Sequence, residues 1–180
     1  MTLETTNFLL GAGSVALEFI TVALLASLFL KKKFPDLEDV ARPFSKWGLW
    51  IGFVLTLVGT LIAFYYSDVL GYGACWHCWV QRIFFSSQAV LFAVAIWKKD
   101  RGIADYSITL SLFGAIDALY QHYLQMGGIS NVPCPAVPGA IDCAERFLFE
   151  FGHVTMPWIA FVSFAFLIVV MLNVRSPRSS

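Results

Sequence analysis

Charge is scarce in this sequence. Of its 180 residues only 13% are Asp, Glu, Lys or Arg, against 58% hydrophobic, and the mean hydropathy is +0.72. A soluble domain carries about 25% charged residues, so these proportions exclude that class and define an integral membrane protein. Net charge is lacking as well: 12 Lys+Arg offset 12 Asp+Glu, which leaves no basic excess to attract nucleic acid. Cysteine is limited to four, few enough that each needs its own explanation. A c-type haem would require His directly after the second cysteine of the CxxC at Cys75–Cys78, and Trp79 stands there instead. Nothing in the chain suggests flavin or an iron–sulfur cluster.

What is present is a series of apolar runs. About 20 residues at 1.5 Å each cross roughly 30 Å of hydrocarbon, and Asn7–Leu30, Trp47–Tyr66, Trp79–Trp97, Ile103–Leu124 and the run opened by Thr155-Met156-Pro157 and ending about Val174 all have that reach. The first is preceded by Glu4 and no Lys or Arg, and followed by Lys31-Lys32-Lys33. That charge order is an anchor's, with its amino end outside, and not a signal peptide's. Residues 34–46, with Pro35 and Pro43, read as a short solvated loop, and Arg175–Ser180 as a polar tail.

Five spans place 31–46, 98–102 and the tail on one side of the membrane. Ten of the 12 basic residues lie there, which makes that side cytoplasmic by the positive-inside rule. The other two, Arg82 and Arg146, accompany the cysteines on the exoplasmic side, where disulfides form and persist.

Helical spacing sorts the polar residues. Gly11, Ser14, Glu18 and Thr21 form one stripe on the first span, directed at other helices, with Glu18 either functional or a protonated acid bonded to a neighbour. Gly48, Gly52, Thr56, Gly59 and Ala63 give the second span a close-packing face. Ser107, Ser111, Gly114, Asp117, Gln121 and Gln125 share a stripe on the fourth, which belongs inside a bundle. Asp117 and His122 there either reach a ligand or bond to neighbouring helices. In the last outer loop, Asp142 and Glu145 have the spacing of a capping pair, and 143–151 reads as a short interfacial helix.

The chemistry centres on Cys75-Trp76-His77-Cys78. On a helix beginning near Ala74, the two cysteines and Arg82 share a face. A helix amino end, His77 and Arg82 favour a thiolate, as the start of the interfacial helix would for Cys143. The cysteines could instead bind structural zinc or form two structural staples. A working dithiol needs an electron acceptor, and a lipid-soluble quinone is the natural one. Trp79, Gln81, Arg82, His122 and Gln125 are the candidates to hold its head group.

Together Cys75-x-x-Cys78-x-x-x-Arg82, His122-Tyr123-Leu124-Gln125, the pair Cys134 and Cys143, and Glu145-Arg146-Phe147 with Thr155-x-Pro157 resemble the disulfide bond formation protein B (DsbB) family. The resemblance covers Trp47 to Val174. It implies a four-helix bundle over 47–174, with residues 1–46 an extra N-terminal transmembrane helix plus cytoplasmic loop and 175–180 a cytoplasmic tail. It also implies an enzyme of the bacterial inner membrane, a protein-dithiol:quinone oxidoreductase. The thiolate of a periplasmic thioredoxin-fold (DsbA-like) partner would attack Cys134 to give a mixed disulfide. Cys143 would pass electrons to Cys75, and Cys78 would meet ubiquinone or menaquinone beside Arg82. The vitamin K epoxide reductase class uses the same logic with its loop cysteines before the CxxC, the reverse of the order here. A non-enzymatic membrane protein with stapled loops is the third reading.

Overall fold

The computed structural model describes residues 3–30, 37–129, 134 and 141–175. Lys31–Lys33, residues 34–36 of the expected loop with Pro35, and 176–180 of the expected tail lie outside the described residues. Helices α1 (Leu3–Leu30), α2 (Leu37–Phe64), α3 (Trp76–Lys98), α4 (Ile103–Gln125) and α5 (Met156–Arg175) make up most of the fold. The expected all-α membrane architecture is what forms. The helices α1, α3 and α5 and the stretch 42–69 are each long and apolar enough to cross a membrane. Large apolar side chains face outward on α1, α2 and α3, among them Phe19, Phe29, Leu61 and Val90, an arrangement that lipid satisfies and water would not.

The helices α2, α3, α4 and α5 close a ring in that order, and α1 lies in the groove between α2 and α5. Small residues let the ring close. A Cβ added at Gly52 would sit 2.7 Å from the Phe92 ring, and one at Gly114 only 2.5 Å from the Phe164 ring. Phe85 stacks on Phe164 at 4.3 Å between ring centres, so α3 and α5 meet through aromatics seated in notches of α2 and α4. The α4 stripe points inward as its spacing requires: Ser107, Ser111, Gly114, Gln121 and Gln125 are all buried. Ser107 and Ser111 both donate to Gln88 Oε1 on α3, at 2.6 and 3.1 Å. At the end of the bundle remote from the cysteines, Arg101 donates to the Ser45 and Val174 carbonyls at 3.0 and 2.9 Å, tying α2 and α5 together.

Two expectations are corrected. Residues 37–46 are not a loop: α2 begins at Leu37 and runs through Pro43. A helix satisfies its backbone internally, so a polar stretch can extend an apolar span, and Pro43, the seventh helical residue, costs it one backbone hydrogen bond without ending it. The interfacial helix over 143–151 does not form. Asp142 makes a tight turn instead, its Oδ1 accepting from Ala144 N at 3.1 Å and its carbonyl from Glu145 N at 3.1 Å. The chain then enters a hairpin, β1 (Phe149–Glu150) against β2 (Val154–Thr155). Phe151 and Gly152, with φ of 51° and 77°, reverse the chain. A helix of nine residues has little stability of its own, and here Leu148 and Val154 are buried by the hairpin instead. Thr155 then caps α5, its Oγ1 accepting from Trp158 N at 3.3 Å, with Pro157 in the first turn.

Because the Phe164 ring fills the notch at Gly114, Gly114→Val should destabilise the bundle by about 1–3 kcal/mol through overpacking. A lowered unfolding midpoint in detergent is expected, and an unchanged one would mean that α4 and α5 do not meet at this notch.

Candidate functional site

The α3 helix starts at Trp76 because Cys75 caps it. Cys75 has extended backbone (φ −71°, ψ 172°), and its sulfur accepts from Cys78 N at 3.2 Å, the role a Ser or Asp oxygen usually fills. The cysteine spacing thus serves two ends at once: it satisfies an otherwise free helix N–H and sets the two sulfurs side by side.

A polar network from α4 holds the pair. Gln121 Nε2 donates to Cys75 Sγ at 3.1 Å and to Cys78 Sγ at 3.5 Å. Its own Oε1 accepts from Gln81 Nε2 at 2.8 Å. Gln81 also donates to Asp117 Oδ2 at 3.2 Å, and Asp117 Oδ1 lies 2.7 Å from His77 Nδ1. Three side chains, Gln81, Asp117 and His77, therefore fix the orientation of the Gln121 amide, which faces both thiols. The sequence reading carried Gln121 only as part of a packing stripe and left Asp117 open. Their spacing of four residues, in line with Gln125, was the available signal.

Its sulfur neighbour and burial together set the character of Cys75. It is 2% exposed, and hydrogen bonding with the Cys78 sulfur together with desolvation pushes its thiol well above the ordinary range. The Cys78 N–H and Gln121 act the other way but are outweighed. Of the two thiols at this helix end, Cys75 is thus the one that keeps its proton, which it shares with the Cys78 sulfur. Cys143, in a turn and not at a helix start, loses its supposed helix-end activation.

Cys134 and Cys143 are joined by a disulfide, their Cα atoms 6.1 Å apart, whereas Cys75 and Cys78 are free thiols. All four meet in one cluster: Cys75, Cys143 and Leu124 are buried together, with Cys78, Cys134 and Tyr120 packed against them. The Cys134–Cys143 bond also takes two sulfurs from any four-cysteine zinc site. Gln125 Nε2 anchors the loop that carries Cys143 by donating to the Glu145 carbonyl at 2.8 Å.

Beside the cluster lies a cavity of about 410 Å³. Both free thiols, Gln81, Arg82, Gln121 and Gln125 border it, and most of the remaining lining is apolar. Arg82 is buried, donates from Nη2 to the Ala63 carbonyl at 2.7 Å, and lies 5.3 Å from the Phe64 ring centre and 5.2 Å from that of Trp79. Its charge is therefore fixed at the wall by a carbonyl and two aromatic faces. Trp79 itself is half exposed on the outside of α3. His122 stands apart from the cavity: its Nδ1 lies 2.9 Å from Thr155 Oγ1, and its ring packs on Trp158 at 4.8 Å. Of the residues singled out in the sequence, Cys75, Cys78, Gln81, Arg82 and Gln125 converge on the cavity, and His122 and Trp79 do not.

Volume and lining suit a small aromatic head group. A buried acceptor, Gln125 Oε1, has no partner among the described residues, and the fixed Arg82 offers a cation. The site thus fits a quinone, an apolar ring with polar oxygens.

A multi-pass helical membrane protein with two thiols and a disulfide packed in one cluster defines a class, that of membrane disulfide-forming proteins. Residues 45–174 match the family described as "Disulfide bond formation protein DsbB". "Probable disulfide formation protein C 1" of Bacillus anthracis is 31% identical over 121 residues, 67% of this chain and 82% of its own. "Probable disulfide formation protein C" of Halalkalibacterium halodurans is 30% identical over 125 residues, 69% and 88% of the two chains. "Disulfide bond formation protein C" of Bacillus subtilis is 26% identical over 133 residues, 73% and 94% of the two chains. No solved structure matches the chain. The chain belongs to the DsbB family and is a disulfide-forming oxidoreductase of the membrane.

Gln121→Leu removes a donor from the Cys75 sulfur. With the other three cysteines replaced by Ser, the Cys75 thiolate absorbance should then appear at higher pH, with about tenfold less thiolate at a given pH for a loss of about 1.4 kcal/mol. An unshifted titration would reduce Gln121 to a packing residue.

Proposed function

We propose that this protein reoxidises a soluble thioredoxin-fold dithiol partner of the DsbA type and passes the electrons to ubiquinone or menaquinone in the membrane. The observation that carries this reading is the position of Cys75. It is packed against the Cys134–Cys143 pair on one side and borders the cavity, with Cys78, on the other. A dithiol between a protein-facing disulfide and an apolar cavity is the middle station of a relay.

The sulfur exchanges balance as follows. A partner thiolate attacks Cys134, breaking the Cys134–Cys143 bond and releasing Cys143 as thiolate. Cys143 attacks Cys75 of an oxidised Cys75–Cys78 pair and releases the Cys78 thiolate. The partner's second thiolate closes the partner disulfide and frees Cys134. Cys134 then attacks Cys143, restoring their bond and releasing Cys75. The products are an oxidised partner and two thiols at Cys75 and Cys78, the sulfur pairing of the structure. A quinone supplies the acceptor for the two electrons and two protons that must leave these thiols for their disulfide to re-form.

The protein's own groups support each exchange. Gln121 donates to both sulfurs and so stabilises whichever one carries charge. Arg82 brings fixed positive charge to the cavity wall, and Gln81, Asp117 and His77 hold the Gln121 amide in place. In this reading α4 is a fifth span: it has the length of α3 and turns its polar stripe into the bundle. The amino end and both cysteine pairs then face the periplasm or cell exterior, and the basic end faces the cytoplasm.

Cys134→Ala should abolish oxidation of a reduced DsbA-type protein by membranes containing the variant, while added quinone still converts Cys75 and Cys78 to a disulfide. Normal partner oxidation by this variant would sink the relay.

A further inference from the structure

The family match begins at residue 45, so α1 lies outside it, yet α1 forms part of the cavity wall. Leu9, Leu10, Gly13, Ser14 and Leu17 line the same space as Cys75, Cys78 and Arg82. Its position there is fixed at several points. Asn7 Nδ2 donates to the Phe147 carbonyl at 3.3 Å, and the Tyr66 hydroxyl donates to Asn7 Oδ1. Gly11 lets the helix approach the hairpin so closely that a Cβ there would lie 3.0 Å from Glu150 Cβ. Deeper down, Trp158 Nε1 donates to Glu18 Oε1 at 2.7 Å.

Ser14 behaves unlike the other helix hydroxyls. Thr21, Thr56, Ser86 and Ser163 each donate to the carbonyl four residues back in their own helix, at 2.7 to 2.8 Å. That is the usual way to satisfy a hydroxyl in an apolar setting. Ser14 is 4% exposed, and its Oγ has no partner among the described residues. A buried hydroxyl left unpaired is costly. The second unpartnered buried atom bordering this cavity is Gln125 Oε1, on α4. A donor and an acceptor from two helices thus remain open on one largely apolar space that also holds the redox thiols.

We propose that α1 completes the quinone site and that Ser14 Oγ is a binding group in it, donating a hydrogen bond to a ring carbonyl oxygen of the bound quinone. This rests on the quinone reading above. Gln125 Oε1 cannot donate, so it pairs with a hydroxyl and favours the reduced, hydroquinone form. Ser14 can donate to a carbonyl or accept from a hydroxyl and so serves both redox forms. The chain's first helix is then a functional element of the site and not only an anchor.

The test is equilibrium binding of a short-chain ubiquinone analogue, and in parallel a menaquinone analogue, to the purified full-length protein in nanodiscs, read by quenching of tryptophan fluorescence. Ser14→Ala should weaken binding about three- to tenfold, the loss of one neutral hydrogen bond. It should leave the unfolding midpoint of the quinone-free protein unchanged or raised, because an unpaired polar atom has been removed. A lowered midpoint with unaltered affinity would make Ser14 structural, and unaltered affinity with an unaltered midpoint would assign its hydroxyl to ordered water; either overturns the proposal. Gly13→Phe is the second variant. A Cβ at Gly13 meets nothing within 4 Å, and losing a mid-helix Gly does not weaken the helix, so the protein should fold while its ring occupies cavity space and binding falls at least tenfold. Unchanged binding by Gly13→Phe would remove α1 from the site. Failure of the unsubstituted protein to bind either analogue would overturn the quinone reading itself, an outcome distinct from normal binding that Ser14→Ala leaves intact.

Discussion

The site depends on one amide. Gln121 reaches across from α4 to the two sulfurs at the head of α3, and everything near it either orients that amide or shapes the space beside it. The constraint is general: in a low-dielectric setting a thiol cannot become a thiolate unless a donor already faces it. Gln121 meets that requirement for both sulfurs without adding a charge. Its orientation is fixed by Gln81, Gln81 by Asp117, and Asp117 by His77 of the CxxC itself. The motif therefore helps to hold the group that serves it.

This arrangement explains why a buried, reluctant thiol at Cys75 is compatible with redox work. A thiol that ionised freely would attack any disulfide that reached it. One that is buried among Leu124, Cys143 and the Gln121 amide is suited to exchange with the sulfur packed against it. Close packing of α2, α3, α4 and α5 through Phe85, Phe92 and Phe164 sets the distance between the helices that carry the sulfurs and the amide, so the apolar core and the polar network are parts of one construction.

Much of this was legible in the residues. Apolar runs and the count of basic residues defined a helical membrane protein. Steps of three and four put Cys75, Cys78 and Arg82 on one face, and the α4 stripe turned inward as its spacing required. What was not legible came from contacts distant in sequence. Gln121 looked like any polar residue of a packing stripe until α3 lay beside it. His122 was adjacent in sequence to the site and is turned towards Thr155 and Trp158 instead. Asp142 and Glu145 have the spacing of a helix cap, but the hairpin that buries Leu148 and Val154 overrides that local preference. The 37–46 segment failed differently: its polar composition fits a loop and a solvated helix end equally well. The stripe on α1 was visible, but that Ser14 lacks a partner depends on the cavity, which no single helix contains.

The central claim is that Cys75 and Cys78 cycle between a protein-facing disulfide and a quinone. The most direct measurement is thiol trapping of all four cysteines in membranes, with quinone depleted or restored and with a reduced DsbA-type protein added. The account predicts that Cys75 and Cys78 are alkylated after the reduced protein is added without quinone, and become protected as a disulfide once quinone is restored. If all four cysteines stay disulfide-bonded throughout, they are structural staples and the account is wrong.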